Sequence, residues 1–393
     1  MLAVKGGAPV IAPRERRWPI AAEADRQALE TALRGLQRGG HEIRSRFEAR
    51  FAADCGVKHA FAVSNGTVSL ELILRALGIG HGDEVILPPY TFIATVSSIL
   101  FAGATPIFAD IDRGSYNLSP ASVREKLTER TRAIVAVAVA GRSPDLDALG
   151  GIAAQAGAAL IVDGAQGVGA EWRGKSIFAC GDAASLSCQN SKNLTCGEGG
   201  MITTGRDDLA EALTGMLSGT ARGVTQDAGL PELQAALLES QYEKLPGEMG
   251  RRSENAAYLA GRLRTLDIAG PLDEDPRLTA QAHHLIVIRL NVPWMEEQGV
   301  TRAQIVKALR AEGLPVAEGY MPLYTFPCLR PEAVRPLIGG EIDLTPLAEC
   351  EIASYKEGLW LTQDWLLGTK DDMDGIAAAF AKVQDEIRDV RTL

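Results

Sequence analysis

The chain has 393 residues, 46% of them hydrophobic, with 40 basic against 50 acidic side chains and a formal net charge of -10. That length can bury a large core and exceeds the usual size of one domain, so two domains are expected. The acidic balance argues against a nucleic-acid partner, and no charged-then-apolar leader or membrane-length apolar run is evident, which makes the cytoplasm the expected location.

Taken in order, the opening block through Trp18 and Pro19 reads as an extended arm over residues 1–20, lying across the protein or a partner subunit. Its RERR run at Arg14 to Arg17 is too short for a basic patch. Strand-like and helix-like segments then alternate: FAVS, a helix from Val68 to Leu77, EVILP, a helix through Ala94 to Ala102, PIFADI, AIVAVAVA, a helix from Leu146 to Ala156, ALIVD, AASLSC and MITT. This alternation predicts an α/β fold, a largely parallel sheet with helices on both faces, over residues 21–250. From about Arg251 the pattern changes to a long polar helix, HLIVIRL, a helix from Arg302 to Glu312, a proline-aromatic stretch and a closing helix near Asp372 to Val390. Residues 251–393 are read as a smaller α/β domain.

Three junctions in this alternation carry chemistry. FAVS runs into its helix through Ser64, Asn65, Gly66 and Thr67; free amides and hydroxyls at a helix N-terminus form an anion site, and a glycine there permits close approach of a phosphate. A helix cap and turn would account for that segment on its own. ALIVDGAQ ends a buried strand with Asp163, followed by Gln166, where open α/β sheets bind ligands. SLSCQNSKNLTCGEGG, from Ser185 to Gly200, places Lys192 in a glycine-bounded turn between two apolar strands. An amine partly desolvated in such a turn has a lowered pKa and suits a Schiff base with an aldehyde. A phosphate cradle, a carboxylate for a pyridinium nitrogen and a lysine are the parts that pyridoxal phosphate requires. The five histidines do not fall at zinc-ligand spacings and the six cysteines form no C-x-x-C pair, so no metal is expected and the thiols should be free and mostly buried.

SNGT, LPPYTFIATVSSILFAGATPIFADID, VDGAQGVGAEWRGK and SKNLTCGEGG together resemble the DegT/DnrJ/EryC1/StrS sugar aminotransferase family, fold type I pyridoxal 5'-phosphate enzymes. The likeness covers nearly the whole chain. Within the family, the opening segment and the form of the lysine motif are most similar to enzymes that aminate keto-cyclitols of the scyllo-inosose type and to aminohydroxybenzoate synthases. The resemblance implies that Lys192 is the internal aldimine lysine and proton carrier, and that Asp163 pairs with the pyridine nitrogen. It also implies that Gln166 lies against the ring or its oxygen, that Gly66, Thr67 and Ser187 hold the phosphate, and that Phe92 stacks on the ring face. An aromatic at an apolar helix start would otherwise be read as core. It further implies a homodimer with shared active sites. Relatives that dehydrate deoxysugars have histidine where this chain has Lys192, which favours amino transfer.

Two segments depart from the pattern. AVAG at Ala138 to Gly141 replaces a His-x-Tyr-Gly run, and TQDAGLPELQAA puts Asp227 and Gly229 where relatives carry an asparagine that reaches the neighbouring subunit's phosphate and an arginine. A carboxylate facing a phosphate would be repulsive, so no phosphate role passes to Asp227. His283 and His284 open a strand, and Tyr320 and Tyr324 stand in a loop that could face substrate or simply pack. The expected activity is transfer of an amino group from L-glutamate or L-glutamine to a ketone of a cyclitol or sugar in secondary metabolism, by a ping-pong cycle. A lyase or aromatase of the aminohydroxybenzoate synthase type and a catalytically silent cofactor-binding sensor or partner subunit are the alternatives.

Overall fold

The apolar runs and their turn residues fold as the alternation predicts. In a computed structural model describing residues 1–12, 18–36, 42–218 and 226–393, the strands are β1 (His59–Val63), β2 (Glu84–Leu87), β3 (Thr105–Phe108), β4 (Thr131–Val137), β5 (Ala159–Asp163), β6 (Glu171–Trp172), β7 (Lys175–Ser176), β8 (Ala183–Ser187), β9 (Gly200–Thr204), β10 (Ala269–Gly270), β11 (Leu278–Ala280), β12 (Leu285–Leu290) and β13 (Gly358–Thr362). Seven of them form one sheet in the order β1-β9-β8-β5-β4-β2-β3. Only β9 runs against its neighbours; the other pairings in this sheet are parallel. The RERR run at Arg14 to Arg17 lies outside the described residues.

The helices before and between these strands are α1 (Glu23–Leu36), α2 (Glu42–Cys55), α3 (Gly66–Ala76), α4 (Ala94–Ala102), α5 (Pro120–Lys126), α6 (Leu146–Ala156), α7 (Asp207–Ser218) and α8 (Glu232–Leu263). Both faces of the sheet are covered, which is why its strands read as continuous apolar runs. Val85 and Leu87 of β2, with Val135 and Val137 of β4, pack under α3, α4 and α7. Ile86, Ile134 and Ala136 point the other way, under α2, α6 and α8.

Two boundaries differ from the sequence reading for local reasons. Helix α3 begins at Gly66 rather than Val68, because the Asn65 side chain accepts from the Val68 N–H at 2.9 Å and fixes the first turn there. The polar helix expected from Arg251 starts at Glu232, whose carboxylate accepts from the Ile43 N–H at 3.0 Å, and it runs on through Pro246. A proline removes one intrahelical bond, and contacts with α1, α2 and the closing helix hold α8 through it. Residue 250 therefore falls inside a continuous helix.

Beyond α8, β10, β12 and β13 form an antiparallel sheet. It is covered by α9 (Val292–Gln298), α10 (Arg302–Ala311) and a closing helix, Lys370–Asp385, with a separate turn at Ile387–Val390. Their buried side chains form a cluster that also takes in Leu2. The first residues are therefore docked: Ala3–Lys5 form a 3-10 turn, and the buried Glu312 carboxylate accepts from the N–H groups of Ala3 at 2.7 Å and Val10 at 3.1 Å. No helix among the described residues is long and apolar enough to cross a membrane.

Candidate active site

The carboxyl ends of β1, β5 and β8 converge, because β9 lies between β1 and β8 and pairs Gly200 with both Val63 and Ser187. Leaving β1, the chain passes through Ser64, whose N–H donates to Ala228 O at 2.8 Å, and Asn65, the cap of α3. The N–H groups of Gly66 and Thr67 and the Thr67 hydroxyl have no protein partner among the described residues. Ser187 lies directly beside this helix start: a Cβ on Gly66 would stand 2.8 Å from Ser187 Cβ. A Cβ on Gly200 would stand 2.6 Å from the Asn65 carbonyl. The glycines thus bring free amides and two hydroxyls together in an arrangement suited to an anion.

Asp163 ends β5 and is buried. Its carboxylate accepts from Thr95 Oγ1 at 2.8 Å and from the Ala165 N–H at 3.1 Å, and Thr91 Oγ1 lies 3.2 Å from Thr95 Oγ1. Burial pushes its pKa up, while those two hydrogen bonds and the Lys192 charge act against the shift. Lys192 sits in the turn after β8, its N–H donating to Gln189 O at 2.9 Å and the turn closed by Cys188 N–H to Gly199 O at 2.7 Å. Its ammonium makes no hydrogen bond or ion pair among the described residues. Burial pushes the Lys192 pKa down, opposed by the Asp163 charge. Gln166 is buried with its amide fixed at both ends: Oε1 accepts from the Ala140 N–H at 2.7 Å and Nε2 donates to Tyr320 Oη at 2.8 Å. Phe92 precedes α4 and is 56% exposed, so it is not the core residue that its apolar neighbours suggest.

Several participants were not singled out from the sequence. Thr95, the second residue of α4, orients Asp163, and its only signal is a hydroxyl in the first turn of an apolar helix. Asn193, next to the lysine, donates to Ala282 O at 2.6 Å and lies 3.1 Å from His284 Nδ1. Among the residues left open, Tyr320 packs edge-on against Tyr90 and Trp360 and reaches the site through Gln166. Tyr324 is interior, donating to Glu351 at 2.7 Å. AVAG lacks side chains to reach a ligand, yet its backbone holds both Gln166 and His284. Asp227 is exposed. Cys188 and Cys196 are free and buried beside the lysine turn, and burial pushes both thiols up, Cys196 to about 12, so they are not thiolates.

A buried carboxylate, a free amine with a lowered pKa and a glycine-lined helix start that a Cβ would fill suit a phosphorylated pyridine aldehyde in charge and donor set. Comparison with known proteins agrees. The family model described as the DegT/DnrJ/EryC1/StrS aminotransferase family matches residues 19–337. The chain is 35% identical over 417 residues to an L-glutamine:2-deoxy-scyllo-inosose aminotransferase of Streptomyces lividus, covering 97% of each chain. It is 33% identical over 422 residues to an L-glutamine:scyllo-inosose aminotransferase of Streptomyces griseus, covering 99% of each. Among solved structures, that of 3-amino-5-hydroxybenzoic acid synthase superposes with a TM-score of 0.83 at 29% identity, covering 96% of this chain and 100% of that one.

Proposed function

The chain belongs to the DegT/DnrJ/EryC1/StrS aminotransferase family, and from that membership we propose that it moves the amino group of L-glutamine to the ketone of a scyllo-inosose-type cyclitol. It is a pyridoxal 5'-phosphate-dependent aminotransferase of the fold type I class. The observation that carries the reading is the unpartnered amine of Lys192 beside the buried carboxylate of Asp163. The names of the two Streptomyces relatives support glutamine as donor and a keto-cyclitol as acceptor. Antibiotic biosynthesis, a cytoplasmic location and a homodimer complete the proposal.

When bound, pyridoxal phosphate supplies the aldehyde that takes up the amino group and the ring that withdraws electrons from the reacting carbon. The N–H groups of Gly66 and Thr67, with the hydroxyls of Thr67 and Ser187, would hold the phosphate. Asp163, oriented by Thr95, would pair with the ring nitrogen, where a buried carboxylate favours the protonated ring. Gln166, held by Ala140 and Tyr320, and the exposed Phe92 are the residues that would contact the ring. Burial lowers the pKa of Lys192 Nζ, which favours its role as the group that would accept the proton leaving the donor's Cα and return it on the far side of the transfer.

The likeness to 3-amino-5-hydroxybenzoic acid synthase supports elimination chemistry at the same lysine as a second reading. The names of the relatives give it less support than amino transfer. Absorbance spectra separate the two. The wild-type protein loaded with pyridoxal phosphate should show a visible band that the Lys192→Ala variant lacks, and L-glutamine should bleach that band with stoichiometric loss of donor amine. A band indifferent to L-glutamine and L-glutamate favours elimination; no Lys192-dependent band defeats both.

A further inference from the structure

The functional reading leaves a buried imidazole beside the lysine turn unused. His284 stands at the entry to β12, in the C-terminal part of the chain, yet it contacts the lysine turn. The hydrogen-bond directions there are determined. Asn193 Nδ2 donates to Ala282 O at 2.6 Å, which turns Asn193 Oδ1 toward His284 Nδ1 at 3.1 Å. An amide oxygen only accepts, so the imidazole proton must sit on Nδ1. Both side chains are buried. Burial, and then the charges of Lys192 and Arg252, hold the ring well below its ordinary pKa and hence neutral.

The same three residues, Ala282 to His284, also grip the AVAG segment. The N–H groups of Ala282 and His284 donate to Gly141 O and Ala140 O, each at 2.9 Å, with a left-handed kink at His283 (φ 50°) between them. Ala140 in turn donates its N–H to Gln166 Oε1. A single chain of hydrogen bonds therefore joins the residue after Lys192 to Gln166, through a short segment that enters from the C-terminal part of the molecule.

We propose that His284 is a positioning residue for Lys192: its Nδ1–H, donated to Asn193 Oδ1, holds the lysine turn against the Ala282–His284 segment and so sets the reach of Nζ. This rests on the reading of Lys192 as the lysine that engages the cofactor. Displacing a reacting group by about 1 Å costs up to roughly a hundredfold in rate, and losing one buried hydrogen bond corresponds to about tenfold. A rate loss of about tenfold or more is the expected size.

Three variants test it, because asparagine reproduces the Nδ1 donor, glutamine reproduces Nε2 and phenylalanine neither. Each is freed of cofactor, mixed with pyridoxal phosphate, and followed by growth of the Lys192-dependent band, with borohydride trapping and peptide mapping to count modified Lys192. His284→Asn should load within about twofold of wild type, and His284→Gln and His284→Phe about tenfold more slowly. A His284→Phe protein that loads at the wild-type rate, or a His284→Gln protein that loads normally while His284→Asn does not, overturns the proposal. Should all three lose thermal stability alike, the Asn193→Ala background decides. There His284→Phe should cost nothing further, and an additive loss refutes the coupling. Nitrogen-15 histidine spectra of the cofactor-free protein give an answer independent of loading. The Nδ1–H tautomer at His284 is required, and the Nε2–H tautomer sinks the idea even if the functional reading stands.

Discussion

At the scale of single residues, close approach and burial decide what the site tolerates. Gly66 touches Ser187 so closely that an added Cβ would lie 2.8 Å from a strand Cβ that cannot swing away. Gly66→Ala should therefore destabilise the fold by about 1–3 kcal/mol and weaken pyridoxal phosphate binding at least about tenfold, since the same displacement opens the cradle. Denaturant unfolding and a cofactor titration check the two effects separately; an alanine variant with wild-type affinity would mean the cradle does not need this contact. The adjacent histidines carry a second prediction. Burial, with the charges of Arg252 and Arg142, pushes His283 down to about 4, and His284 is also depressed. An unfolded histidine titrates near 6.5, so the unfolded chain binds more protons between those values. Stability must then fall as pH drops through that window, by about 2 kcal/mol at pH 5 for His283 alone. His283→Asn suits the left-handed backbone and removes the titration, so its stability loss between pH 7 and pH 5 should be smaller by about that amount. An equal loss in both proteins counts against it. The positions of Asp163 and Lys192 were legible because a polar residue ending an apolar run, and a lysine between two such runs, leave local marks. Thr95 and Asn193 leave no mark specific enough to single out, and His284 reads only as the start of a strand, because their partners lie far away in sequence and only the folded chain brings them together.

At the scale of elements, period and punctuation announced the sheet. ALIVD and EVIL are apolar at every position but the last or the first, and both are buried on two faces. Helix α6 runs from Leu146 to Ala156 as read, opened by Asp145, whose side chain accepts from the Ala148 N–H, and closed by Gly157 in the left-handed region. The reading failed where an element's stability comes from elsewhere. Pro246 and Gly247 suggest a break, and neighbouring helices carry α8 across them. The N-terminal arm is a related case, since nothing in LAVKGGAPV says that Leu2 will be buried among residues 259 to 390. Its anchor is Glu312, fully buried, accepting from Ala3 and Val10 N–H groups and paired with Lys382 Nζ at 2.8 Å. Glu312→Ala would leave two amide donors and a lysine without their acceptor, at a cost of about 3 kcal/mol. Limited proteolysis should then cut within residues 1–12 under conditions where the parent chain resists. If the arm stays protected, other contacts hold it.

At the scale of the whole molecule, the described surface near the site is unfinished in a particular way. Phe92 and Met321 are each 56% exposed, though each lies within two residues of the packed Tyr90–Tyr320 pair that adjoins Gln166. Large apolar side chains exposed beside a pocket commonly mark an interface or a ligand face. Sequence could not reveal which residues a second subunit would bring, because a single chain carries no register for a partner. The departures at Ala138 to Gly141 and at Asp227 were legible only as gaps against a family pattern. In the fold, the backbone of Ala140 and Gly141 at the first gap hydrogen-bonds to Gln166, Ala282 and His284. For the second, the chain passes an exposed carboxylate near β1, where Ala228 O meets the Ser64 N–H. A site with Phe92 and Met321 exposed beside it should bind pyridoxal phosphate as a monomer only weakly. Light scattering at micromolar concentration should give twice the mass of one chain, and cofactor occupancy should fall together with dimer content on dilution. A protein that stays fully loaded and active at the mass of one chain would show that Phe92 and Met321 are covered by substrate alone.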